Sequence, residues 1–143
     1  MLTNQTIDKL HQLKLHGMIR EVNSQTSKAQ DYSSLSFDER LALVVDREVI
    51  DRDNRRLTRR LSDAKFKETA MIEDINWSHK RGLDKAVFMQ LASSQWIAHH
   101  QNVIFHGLTG AGKTWLACAL GFRACQDGYT VLFRRISKLF QDK

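Results

Sequence analysis

Residues 107–114 read Gly107-Leu108-Thr109-Gly110-Ala111-Gly112-Lys113-Thr114. This octet fits the pattern G-x-x-x-x-G-K-[ST], which grips phosphate with its main chain. Glycines let the backbone turn sharply and come close to phosphate oxygens. Successive N–H groups then form a concave anion nest, and a following helix aims its positive end at the same anion. The Lys113 ammonium is expected near the β- and γ-phosphates, where it would also act in catalysis. The Thr114 hydroxyl is expected to ligate Mg²⁺. All eight residues are therefore candidate nucleotide-binding residues, with Thr114 the candidate metal ligand. A glycine-rich turn without a ligand is the plainer alternative.

A second constellation lies upstream. Arg52, Arg55, Arg56, Arg59 and Arg60 fall at i, i+3, i+4, i+7 and i+8, one continuous face of a helix. Glu48–Arg52, Asp51–Arg55 and Asp63–Lys67 supply some opposite charge at i, i+4, but like-charged arginines are neighbours as well. An anion on that face would relieve the repulsion, and the planar guanidinium suits phosphate. The stripe is thus a candidate DNA-backbone contact with strong salt dependence and little base specificity. A solvated or protein-binding face is the alternative.

Other residues carry less. His99-His100 are adjacent, so on a helix they diverge by about 100°. A helix-end pair near the C-terminal dipole is the simpler account of them than a metal site. Cys118 and Cys125 read as reduced, buried thiols, being about 10 Å apart along a helix axis. Trp77, Trp96 and Trp115 read as packing residues.

These groups need elements to hold them. The chain has 143 residues, 42% hydrophobic and 27% charged, with no proline, enough for one domain or a domain with an appendage. A formal charge of +6 and a pI near 9.6 favour an anionic partner. No signal peptide or membrane-span pattern appears, so a cytoplasmic location is expected. Residues 4–22 predict an amphipathic helix interrupted or ended near Gly17, and 23–35 a polar loop. Ser36-Phe37-Asp38-Glu39 forms a capping box, opening a long helix from about 37 to 64. Residues 68–82 read as a connector and 83–98 as a helix. The runs 102–106 and 129–133 are expected as buried strands, on either side of a helix at 114–126 that stops at Asp127-Gly128. Residues 136–140 would begin another helix.

Several segments, in order, resemble one family: LKLHGM (13–18), LSFDERLALVVDRE (35–48), NRRLTRRL (54–61), EDINW (73–77), RGLDKA (81–86), QNVIFHGLTGAGKTWLACALG (101–121) and GYTVLF (128–133). Together they resemble the IstB-like insertion-sequence ATP-binding proteins, an AAA+ family related to the DnaC helicase loader. Leu108 stands where that family commonly has Pro, and Trp115 where it commonly has His.

The resemblance implies an α/β fold: a helical N-terminal domain (1–68), then the first part of a P-loop AAA+ ATPase domain (69–143) with an incomplete parallel sheet. It implies ATP with Mg²⁺ at the Walker A octet, and a role as an accessory protein of DNA transposition. The partners it implies are DNA, a cognate transposase and further copies of itself. Family members are longer, and no apolar run ending in an acidic pair follows Lys113 to complete the hydrolytic apparatus. The expectation is thus a truncated copy that does not hydrolyse ATP alone. A DNA- or partner-binding module with a vestigial phosphate loop is the competing reading, and a small kinase a more distant one.

Overall fold

The computed structural model describes residues 4–141. They divide into two compact units, one ending at Arg56 and the other starting at Leu57.

In the first unit, α1 (Asn4–Gln12) and α2 (His16–Ser27) are followed by the single turn α3 (Ala29–Tyr32) and the long α4 (Phe37–Ala64), whose residues from Leu57 on belong to the second unit. The chain leaves α1 through Lys14 in the left-handed region, φ 57°. There the Lys14 and Leu15 N–H groups donate to the His11 and Leu10 carbonyls, the paired bonds that close a helix end. Gly17 sits inside the first turn of α2 instead of ending a helix. It is buried because α4 passes close by: a Cβ there would lie 2.8 Å from the Arg47 carbonyl oxygen. The serine-rich stretch expected as a loop is largely helical, completing α2 and forming α3. Ser24 and Tyr32 hydroxyls hydrogen-bond at 3.3 Å, so polar contacts hold a segment that lacks an apolar stripe.

The start of α4 is the expected capping box. Glu39 N–H donates to Ser36 Oγ at 3.2 Å, and Ser36 N–H to Glu39 Oε2 at 2.7 Å. The far boundary, Ala64, also falls where the apolar spacing put it.

In the second unit, α5 (Lys85–Leu91), α6 (Gln95–Ala98), α7 (Lys113–Gln126) and α8 (Ile136–Leu139) follow the end of α4. Its core gathers Ile75, Phe88, Leu116 and Leu120, beside a second cluster of Ala70, Cys118 and Ala119. Helix α7 buries residues on several sides, which fits its nearly unbroken apolar sequence. It ends as expected: Gly128 takes φ 98°, and Gly128 and Tyr129 N–H donate to the Cys125 and Ala124 carbonyls, a Schellman motif. The helix expected over 83–98 is broken into α5 and α6 at Ser94, which is left-handed (φ 61°). The Ser94 hydroxyl donates to Asp127 Oδ2 at 2.7 Å. That distant bond holds the break open against local helical spacing.

The expected α/β class, with an incomplete parallel sheet, is not what this chain forms. The described residues are helices and connecting segments, and none is a strand. The runs 102–106 and 129–133 have irregular backbone, and no described backbone hydrogen bond outside the helices joins one to the other. A strand exists only through its ladder with a neighbour. Apolar, β-branched composition gave these runs the tendency, but among the described residues no strand forms a ladder with them. Ile104 accordingly remains 84% exposed.

Candidate functional site

The octet 107–114 leads directly into α7. Gly110 and Gly112 both have left-handed backbones, φ 86° and 94°, conformations that a Cβ would penalise. Gly112 is the N-cap of α7 and brings no side chain to it. The first-turn N–H groups of a 14-residue helix thus begin at the glycine loop without a side-chain acceptor, and such groups attract anions. Lys113 and Thr114 form the opening of that turn. Lys113 Nζ donates to the Gly107 carbonyl at 2.6 Å, closing the lysine over the start of its own loop. Ala111 N–H donates to the Leu108 carbonyl at 3.2 Å. Leu108 is 86% exposed, and Thr109 and Thr114 are exposed with it. All eight sequence-selected residues therefore lie in one open loop and helix start.

Sequence reasoning missed a neighbour. A Cβ on Gly112 would lie 3.4 Å from an Arg81 guanidinium nitrogen, so a second cation stands beside the loop. Arg81 also donates to the Asn76 carbonyl at 3.4 Å. Arg81 lies in the segment expected as a connector, where nothing in the local pattern links it to the octet. Below the loop, Trp115 packs against both core clusters, and Leu116 and Cys118 are buried. The base of α7 is therefore anchored while the octet stays accessible. Two cations, left-handed glycines and a helix start are thus brought together, the kinds of group from which anion sites are built.

The arginine stripe is more occupied than its spacing suggested. Arg52 Nε donates to Glu48 Oε1 at 2.8 Å, as expected. Arg55 turns to Glu48 at 3.6 Å and to the Asp51 carbonyl at 3.4 Å, not to the Asp51 carboxylate. Asp51 instead pairs with Arg20 and lies 3.8 Å from Arg47. Arg56 approaches Asp53 at 4.0 Å. Arg60 Nε donates to the Cys125 carbonyl at 2.9 Å, fastening α4 to the end of α7. Arg59 is exposed.

Glu48 is the buried centre of the first unit. It accepts from Met18 N–H at 3.1 Å, so it caps the start of α2, where Leu15 offers no side-chain cap. Burial pushes its carboxyl up, but the Arg52 hydrogen bond and the Met18 and Gly17 N–H groups more than offset this and hold it below the usual carboxylate range. Burial raises the Cys125 thiol, with Arg60 pulling weakly the other way. Both cysteines are free and buried.

His100 has φ 55°, and His100 and Gln101 N–H close the end of α6 on the Ile97 and Trp96 carbonyls. The histidine pair is thus a helix-end feature. No group of three metal-ligating side chains gathers among the described residues. Nor is any described helix long and apolar enough to cross a membrane.

Comparison with known proteins adds a separate line. The family described as IstB-like ATP binding protein matches residues 8–143. A Pseudomonas fluorescens protein, named for ATP binding and for insertion sequence IS1162, is 44% identical over 99% of this chain and 61% of its own length. A Sinorhizobium fredii protein, named for ATP binding in an insertion sequence, is 41% identical over 98% of this chain and 57% of its own length. A Mycobacterium tuberculosis protein with a similar name is 33% identical over 93% and 53% respectively. The chain therefore spans little more than half the length of these relatives.

Proposed function

The chain belongs to the IstB-like ATP-binding protein family, and from that premise we propose that residues 107–114 bind ATP in support of DNA transposition. Gly107, Leu108, Thr109, Gly110, Ala111, Gly112, Lys113 and Thr114 would wrap the triphosphate. Thr114 would hold Mg²⁺, and the ion would draw charge from the β- and γ-phosphate oxygens. Lys113 would leave the Gly107 carbonyl for the phosphates, with Arg81 as a second positive neighbour. We assign residues 69–143 to the ATP-binding part and 1–68 to a helical part that meets partners. Those partners are DNA, a transposase and further copies of the chain. The arginine stripe lends charge to DNA attraction, although its carboxylate neighbours leave it a secondary contact.

One observation carries the reading: the left-handed Gly112 opens α7 directly beside Lys113 and Arg81. Thermal unfolding tests it. Ligand at about a hundred times its Kd stabilises a folded protein by about 2.7 kcal/mol, so ATP with Mg²⁺ should raise the Tm. Chelating the metal, or Thr114→Ala, should shrink the rise. An unmoved Tm in well-folded protein would remove the proposal.

A second reading rests on the Lys113–Gly107 contact at 2.6 Å. A lysine satisfied by its own loop also suits a vestigial site in a DNA- or partner-binding module. DNA binding that persists while ATP leaves the Tm unchanged would favour it.

A further inference from the structure

Helix α4 ends at Ala64, and Lys65 turns the chain away in the left-handed region, φ 55°. Phe133 N–H donates to the Ala64 carbonyl at 2.8 Å. That bond pins the run leading to α8 against the end of α4. Phe66 and Phe133 both pack against the Ala70, Cys118 and Ala119 cluster. Each phenylalanine carries basic neighbours: Lys65 and Lys67 flank one, and Arg134 and Arg135 follow the other. With the two rings inward, Lys65, Lys67, Arg134, Arg135 and Lys138 are all exposed. They line an open cleft of about 440 Å³ with Phe133, and among the described residues no carboxylate lines it.

The contrast with the stripe is chemical. Arg52, Arg55 and Arg56 have carboxylates within 4.0 Å, and Arg60 serves a carbonyl. In the cleft, Lys65, Lys67, Arg135 and Lys138 come from two distant stretches of chain and meet no carboxylate among the described residues. The negative end of α4 favours cations close to its last turn. That field accounts for one or two, but it does not offset the mutual repulsion of Lys65, Lys67, Arg135 and Lys138.

We infer that this cleft is a phosphate-backbone site for duplex DNA, and the main one on the second unit. The inference rests on the DNA-binding part of the proposed function and moves the principal contact away from the arginine stripe. Lysines and arginines on flexible, exposed stems would neutralise successive phosphates without reading bases.

The test is fluorescence anisotropy of a labelled DNA duplex with the full chain across a potassium chloride series. The variant Lys67→Ala/Arg135→Ala/Lys138→Ala should bind about tenfold more weakly or worse, with the slope of log K against log salt reduced by about 2 to 3. Exchanging the same positions as Lys67→Arg/Arg135→Lys/Lys138→Arg should keep the parent slope. Arg52→Ala/Arg56→Ala, in the secondary contact, should weaken binding and lower the salt slope less than the cleft triple does, because those arginines already face carboxylates. Circular dichroism checks that each variant stays helical. If the triple variant unfolds, Lys138→Ala alone should still lower the slope by about 1. Unchanged binding in folded cleft variants, with the loss appearing in the stripe variant, overturns this inference and leaves DNA binding standing. Absence of DNA binding by the parent at low salt overturns both. Stronger binding to an RNA duplex than to DNA overturns the choice of partner.

Discussion

Glu48 shows at the residue scale how one carboxylate organises a unit. It caps α2 through Met18 N–H, neutralises Arg52 and lies under a glycine that admits no Cβ. Replacing it with Gln removes the charge but keeps the shape. Glu48→Gln should destabilise the first unit by about 1–3 kcal/mol, the usual cost of weakening a buried, charged hydrogen-bond acceptor. The pH dependence has a definite sign. The folded carboxyl lies below its ordinary value of 4.5. Its contribution is therefore complete above that value and is lost as pH falls through the lowered one. Protection factors of amides in the first turn of α2, corrected for the intrinsic pH dependence of exchange, should fall in the parent from neutral pH into that acid window. The change should be much smaller in Glu48→Gln. The Glu48–Arg52 pair was legible from its spacing. Capping of α2 by the same carboxylate was not, because Met18 and Glu48 meet only when α2 folds back on α4.

At the scale of elements, local signals succeeded where the partner was also local. The capping box opening α4 and the Asp127-Gly128 stop of α7 need only residues a few positions apart. Ser36→Ala should cost about 1 kcal/mol and fray the start of α4, visible as a lower Tm and faster exchange at Glu39 and Arg40. Elements that depend on distant chain were misread. The strands expected at 102–106 and 129–133 required ladder partners that composition cannot supply. The break between α5 and α6 depends on Ser94 reaching Asp127. The polar 23–35 stretch hid a helix because its support comes from contacts such as Ser24–Tyr32, not from an apolar stripe. The placement of the octet at a glycine loop opening α7 was legible, since glycine positions and the Lys-Thr pair are written consecutively. Arg81 was not, because it reaches the loop through the fold.

At the scale of the whole molecule, anion chemistry links both halves of the account. A basic chain, +6 overall, presents an exposed glycine loop at the start of α7 and a cationic cleft at the junction of α4 with the run before α8. The two should be separable. Cleft variants should keep their response to ATP, and loop variants should keep their salt-dependent DNA affinity, except where ATP strengthens that affinity.

The most direct test of the central claim is a titration of a fluorescent ATP analogue with Mg²⁺ into the purified chain, beside Lys113→Ala. The account predicts saturable binding by the parent, displaced by unlabelled ATP, and its loss in a variant that keeps the parent's helical content. Equal affinity in the two proteins, or no binding by a folded parent, would contradict it.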